Sequence, residues 1–261
     1  MFLFFTQRGL TMFSTLNFAA IRMVLRPAML GFLSVCSALP AAAGPFSISP
    51  VRIYMAPRER ATAITVTNEG DEPLVMQADI YDWKQKANGD DELVLTEDMI
   101  VSPPIIKVAP KSRQVVRLAM LRPRPAGEQL TYRLIVREIP EARPATTNVQ
   151  LQIALAFSMP VFITPNGVKR NVVCTTERAA DAVKAVCDNT GNAFAQPRGF
   201  ELTAASGTKL ASADVGGYIL PGVKRGFDLK NAGGKVPAGK AKLSVTHDDS
   251  VVQTFEVNVA E

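Results

Sequence analysis

The chain of 261 residues is poor in the side chains that most catalysis and metal binding need. It has one histidine, His247, set in Thr246-His247-Asp248-Asp249, and three cysteines. A zinc site needs several such ligands at fixed spacing, so that class is excluded. No Gly-rich phosphate loop and no G-x-S-x-G elbow is present. The acid pairs Asp90-Asp91 and Asp248-Asp249 fall between apolar runs, where carboxylates serve as turn formers. Enzymes need convergent acid, base or nucleophile groups or a metal, and nothing here supplies them. No catalytic residue, metal or cofactor is therefore expected.

A strong charge imbalance is also lacking. The chain carries 29 Lys+Arg against 24 Asp+Glu. Residues 1–43 hold Arg8, Arg22 and Arg26 and no acid, which leaves the remainder nearly balanced. That gives no electrostatic case for nucleic acid or for an anionic membrane surface. No apolar run reaches the roughly 20 residues that span a bilayer. The longest, Ala28 to Leu39, follows Arg22 and Arg26 and precedes Pro40-Ala41-Ala42-Ala43. This order predicts a signal peptide over 1–43, cleaved after Ala43, with Met12 and Met23 as alternative starts. Export without later membrane insertion follows. Cys36 lies in this leader; the remaining pair, Cys174 and Cys187, is expected to form a disulfide in an oxidising compartment.

What the sequence does have is period-two apolar alternation between turn signals. Predicted strands cover Phe46–Tyr54, Ala61–Thr67, Leu74–Trp83, Ile105–Val108, Gln114–Met120 and Thr131–Ile139, with a turn or, equally, a longer loop at Asn88-Gly89-Asp90-Asp91. Thr164-Pro165-Asn166-Gly167 then punctuates the chain. Beyond it the predicted strands are Arg170–Thr176, Ala182–Asp188, Gly199–Ala204, Gly217–Leu220, Gly226–Leu229, Lys240–Thr246 and Val251–Val259. A Cys174–Cys187 bridge would staple the first two as a hairpin. The pattern predicts an all-β protein of two β-sandwich domains in tandem, over 44–164 and 165–261.

The most regular stretch is Val149-Gln150-Leu151-Gln152-Ile153-Ala154-Leu155-Ala156-Phe157-Ser158-Met159. Val149, Leu151, Ile153, Leu155 and Phe157 form an apolar row, and the other face is small or polar. Periodicity allows two readings: the row fills the core of its own sandwich, or it is offered to another protein. Arginines within predicted strands are the other marked feature. Arg52 interrupts an apolar strand, Arg117 lies within another, and Arg133 and Arg137 share one face of a third. Each is either solvated, paired within the fold, or facing a partner's carboxylate.

Arg137-Glu138-Ile139-Pro140, a polar loop to Thr147, and Leu151-Gln152-Ile153-Ala154-Leu155 together resemble the end of the first domain of periplasmic pilus chaperones. Pro103-Pro104, the segment Pro110 to Leu118 and the strand with Arg52 resemble the same domain, so the likeness covers about 46–165. The resemblance implies a non-enzymatic periplasmic protein of two immunoglobulin-like β-sandwich domains that caps pilus or fimbrial subunits by β-augmentation and delivers them to an outer-membrane usher. It makes Leu151, Ile153 and Leu155 the central plugs, with Val149 and Phe157 flanking, and makes the Pro140–Thr147 loop mobile until a subunit orders it. In the best-known members an Arg on the first strand and a Lys late in the donor strand anchor the subunit's terminal carboxylate. Arg52 matches the first, but Pro160 stands at the Lys position. Arg133 is the candidate second anchor and Arg137 the reserve. The ending Ser158-Met159-Pro160-Val161-Phe162 is more similar to the branch serving archaic pili and spore-coat-protein-U-like subunits. A standalone exported sandwich for adhesion or ligand binding is the alternative.

Overall fold

The computed structural model describes residues 46–86, 88–122, 127–140, 153–180 and 182–261. The expected leader (1–43), the loop following Pro140, and Val149 and Leu151 lie outside the described residues. Among the described residues there are strands and no helix. The first half holds β1 (Phe46–Ser49), β2 (Ile53–Met55), β3 (Ala61–Asn68), β4 (Leu74–Gln85), β5 (Asp91–Leu95), β6 (Met99–Ser102), β7 (Ile105–Val108), β8 (Arg113–Met120), β9 (Leu130–Glu138) and β10 (Ala156–Ile163). One sheet runs β1-β3-β8-β6 and the other β2-β10-β9-β4-β5, with β7 on β4. Alternation decides which side chains meet between them. Ile64 and Val66 of β3, Val116 and Leu118 of β8, Met76 and Ala78 of β4, and Leu134 and Val136 of β9 all enter one core. Each large apolar side chain so buried contributes about 1.5–3 kcal/mol.

The strand expected over Phe46–Tyr54 is in fact two. β1 pairs with β3, and β2 pairs with β10 in the opposite sheet. Pro50 stands between them; it has no N–H for a ladder, so the chain leaves one sheet there and enters the other. The Asn88-Gly89-Asp90 turn closes the β4–β5 hairpin, with Gly89 at φ 85°, a conformation that favours glycine. The strand after it escaped the sequence reading, because Asp91-Glu92-Leu93-Val94-Leu95 is exposed at every position and shows no alternation.

The second half holds β11 (Val172–Ala179), β12 (Ala182–Asn189), β13 (Pro197–Ala204), β14 (Lys209–Asp214), β15 (Lys224–Asn231), β16 (Gly239–His247) and β17 (Val252–Val259). They form one path, β11-β12-β15-β14-β13-β16-β17, around a second core. The path folds back so that its two ends meet. Arg178 Nε donates to Ala260 O at 2.7 Å and Gln253 Nε2 to Val172 O at 3.2 Å, which covers both edges. Cys174 and Cys187 stand directly opposite on β11 and β12 and are disulfide-bonded, as the hairpin reading expected. Gly217–Leu220 is not a strand; it contributes only the bridge Ala195–Ile219. β14, rich in Ala and Ser, carried too little apolar signal to be seen.

The halves meet through a third apolar cluster. Trp83 and Phe162 come from the first half, Phe194 and Leu220 from the second, with Tyr218 against them. Phe162 and Phe194 stack at 4.3 Å. Two glutamines fix the seam to main chain. Gln85 Nε2 donates to Tyr218 O at 3.0 Å while its Oε1 accepts from Leu220 N at 2.9 Å. Gln129, buried, accepts from Phe194 N at 2.9 Å.

Candidate functional site

Two features on the six-stranded sheet of the first half stand out: one edge of β10 and the arginines beside the seam. β10 is buried at one end and bare at the other. Met159, Val161 and Ile163 belong to the core, and Phe157 is half-buried against it, edge-on to Phe46 at 5.3 Å. Leu155 and Ile153 continue the same odd-numbered row beyond the rim, at 40% and 68% exposure. The apolar row is thus core over its last members and exposed over its described first ones. The described strand begins at Ala156 and runs to Ile163, past the Met159 limit read from alternation. The sequence signal failed at that end because 159–163 are buried on both faces, so the period disappears.

The pairing of β10 is equally uneven. On one side it meets β9 along its whole length, from Ala156–Arg137 to Ile163–Leu130. On the other it meets β2 only over Val161–Ile163. Among the described strands, nothing pairs with that second side from Ala156 to Pro160. Leu155 O accepts from Glu138 N at 2.8 Å, so the odd residues aim their main-chain groups at β9. The even residues Ala156 and Ser158 therefore turn N–H and C=O to the open side, and Pro160 offers only its carbonyl. An open edge with an exposed apolar row alongside is a site for one more strand.

Below that edge lie the arginines. Arg52, at the approach to β2, gives Nη1 to Asp248 Oδ2 at 3.0 Å and to the Tyr54 hydroxyl at 3.2 Å, and Nη2 to Gln196 Oε1 at 2.7 Å. Burial alone would lower its pKa; the bonds to Tyr54 and Asp248 and the nearby Tyr218 outweigh that and raise it. Arg133, on β9, lies 3.7 Å from the centroid of the Trp83 ring and gives Nη2 to Asp91 Oδ2 at 3.4 Å. Its pKa is lowered by burial, which Asp91 and Tyr218 only partly offset, yet an arginine stays charged. Both guanidinium carbons lie 5.6 Å from the Tyr218 ring centroid. Arg52 and Arg133 therefore converge on one aromatic side chain supplied by the second half.

Arg137 stands four register positions farther along β9, opposite Ala156, paired with Asp79 at 3.1 Å and close to the Tyr81 hydroxyl at 3.3 Å. Arg117 is on β8, in the other sheet, and takes no part. His247 lies at the end of β16, where its N–H meets Val251 O in the turn. Sequence reasoning missed Tyr218, Gln196 and Trp83, none of which carried a motif. The two acid pairs gave a signal that was read only as turn chemistry. Asp91 and Asp248 do sit at turns, but each also holds an arginine of the cleft.

Fold and site together define a tandem β-sandwich protein with an open strand edge beside paired arginines. Residues 45–169 match the family model described as the N-terminal domain of pili and flagellar-assembly chaperones of the PapD type. Residues 45–169 thus form a domain of that family of pilus assembly chaperones. Chaperone protein FimB/FhaD of Bordetella pertussis is 28% identical over 150 residues, 55% of this chain and 60% of the relative. The chain thus spans about 60% of that relative's length. Among solved structures, the chaperone–tip adhesion subunit complex CsuC–CsuE, from archaic chaperone–usher Csu pili of Acinetobacter baumannii, matches with TM-score 0.62. It is 20% identical, over 83% of this chain and 99% of that one. The complex of SafA pilin with the SafB chaperone of Salmonella enterica matches with TM-score 0.51 and 13% identity, over 81% and 94% of the two chains.

Proposed function

We propose that this protein is an exported, non-enzymatic chaperone of the periplasm that binds pilus or fimbrial subunits, including spore-coat-U-like ones, and passes them to an outer-membrane usher. Its domains extend over 44–164 and 165–261 behind a cleaved leader, and it works without a cofactor. The row Val149, Leu151, Ile153, Leu155 and Phe157 is the donated strand. The carrying observation is that Ile153 and Leu155 continue the core row of β10 into the open, along the side where Ala156 and Ser158 have no partner among the described strands. A subunit lacking a strand would pair with that edge and take the row into its groove. Three to five plugs at about 1.5–3 kcal/mol each supply a large driving term before ordering costs. Arg52, with Arg133 as second cation, receives the subunit's terminal carboxylate by charge-assisted hydrogen bonds.

Two relatives by fold are described as complexes of a chaperone with a tip adhesion subunit and with a pilin, which supports a subunit as the partner here. The ending around Pro160 and the likeness to the Csu chaperone favour the archaic branch. The test is purification of the tagged protein from periplasm, with identification of what co-purifies. A pilus subunit in stoichiometric amount is expected. Recovery of the protein alone, from cells that express a complete pilus operon, contradicts the reading.

A further inference from the structure

Neither cleft arginine is bare. Arg52 is held by Asp248 at 3.0 Å and Arg133 by Asp91 at 3.4 Å. The two carboxylates come from turns on different elements, the β16–β17 turn and the start of β5. A third pair, Arg170 with Asp249 at 3.2 Å, neutralises the next arginine along the same seam. The cleft that would receive a carboxylate is thus already filled with carboxylates, and its local charge is balanced.

We propose that Asp248, seconded by Asp91, is a placeholder carboxylate: it occupies Arg52 in the unloaded protein and gives way when a chain-terminal carboxylate arrives, so that loading is an exchange of one carboxylate for another. The inference rests on the carboxylate-anchor reading above. Three hydrogen bonds fix the guanidinium, two from Nη1 and one from Nη2, and leave Nε–H without a described hydrogen bond. An incoming carboxylate can approach by that side. It would then share a half-buried site with Asp248, and like charges at such range repel strongly where water is scarce. Asp248 is able to yield because it sits in a turn at the surface: Asp249 and Ser250 beside it are exposed. Arg52 does not lose its aim in the exchange, since Gln196 and Tyr54 still hold it. Asp248 yields by rotating its side chain alone: its main-chain N stays bonded to Gln196 O at 3.0 Å, which keeps Gln196 in place. Pairing the cation beforehand also removes a bare charge that would otherwise capture stray acidic chain ends.

The test uses the full mature chain and two synthetic peptides that alternate valine with threonine, one ending in a free carboxylate and one in an amide. The readout is the ratio of their affinities, which a purely structural role for Asp248 in aiming Arg52 would leave unchanged or lower but not raise. The wild type should prefer the acid. Asp248→Asn keeps an acceptor for Arg52 but removes the competing charge, and the ratio should rise about fivefold. Asp91→Asn should raise it less, because Asp91 is more exposed and its bond longer. In an Arg52→Ala background Asp248→Asn should leave the ratio where Arg52→Ala put it. An unchanged or lower ratio in Asp248→Asn, with the acid preference intact in the wild type, overturns the exchange alone. A wild type indifferent to the end group overturns the anchor and the exchange together, and binding of neither peptide overturns the proposed function with them.

Discussion

Arg133 stands directly opposite Pro160 in the β9–β10 pair, on the same face of the sheet. Side chains opposite one another in such a pair lie about 4.5–5.5 Å apart at Cβ. By the family resemblance Pro160 falls where the best-known pilus chaperones carry a lysine, and the cation beside it is Arg133 of the neighbouring strand. The ring of Trp83 beneath the guanidinium, 3.7 Å from its carbon, and Asp91 beside it hold that cation in place. In the anchor proposed above, Arg133 supplies the charge that position 160 lacks.

Arg52→Ala should fold normally and release subunits faster, by the roughly 2–5 kcal/mol that loss of one partner in a desolvated charge pair costs. Arg52→Lys should recover only part of this, because an ammonium lacks the two-pronged geometry. Arg133→Ala should have the milder effect on release. Off-rates measured beside melting temperatures decide it; wild-type retention by the Arg52→Ala, Arg133→Ala double variant would remove the anchor.

Ile153→Asp and Leu155→Asp should change stability by no more than about 0.5 kcal/mol, as exposed positions do, and abolish subunit retention. Val161→Asp, in the same row but fully buried, should instead destabilise by several kcal/mol through an unpaired buried charge. Circular dichroism melts together with a pull-down separate the two halves of β10. Equal unfolding by all three variants would assign the whole row to the core.

Alternation showed the strands whose two faces differ, and these are the ones that build the first core: β3, β4, β8 and β9 were placed to within a few residues. It could not show where the Val149–Met159 row passes from exposed to buried, since burial depends on how far the opposite sheet reaches. It also could not show the cleft. Arg52, Arg133, Asp91, Asp248 and Tyr218 are scattered over more than 190 positions, and only the fold brings them together. Local carboxylate chemistry at a turn looks the same in sequence whether the turn faces solvent or an arginine.

The seam yields a further expectation. Trp83→Ala removes the ring on which Arg133 rests and the core of the cluster with Phe162 and Tyr218. A cost of about 3–5 kcal/mol follows from the lost volume. Subunit release should also quicken. A stable Trp83→Ala protein with wild-type release would detach the seam from the site.

Loss of the Cys174–Cys187 bond, which closes a loop with sequence separation 13, should cost about 2–4 kcal/mol. The Cys174→Ser, Cys187→Ser double variant should therefore melt earlier while its binding at temperatures well below the melt is unchanged. Denaturation curves and subunit capture on the same sample test this. A binding defect in a fully folded double variant would tie the bridge to function.

Strand donation at β10 is tested most directly by residue-resolved amide hydrogen exchange in the free and subunit-loaded protein. Phe157 and Met159 face β9 and should be protected in both states. Ala156 and Ser158 face the open edge, so their amides should exchange quickly in the free protein and become protected by orders of magnitude on loading. Unchanged exchange at Ala156 and Ser158 in a subunit complex of demonstrated stoichiometry would contradict strand donation at this edge.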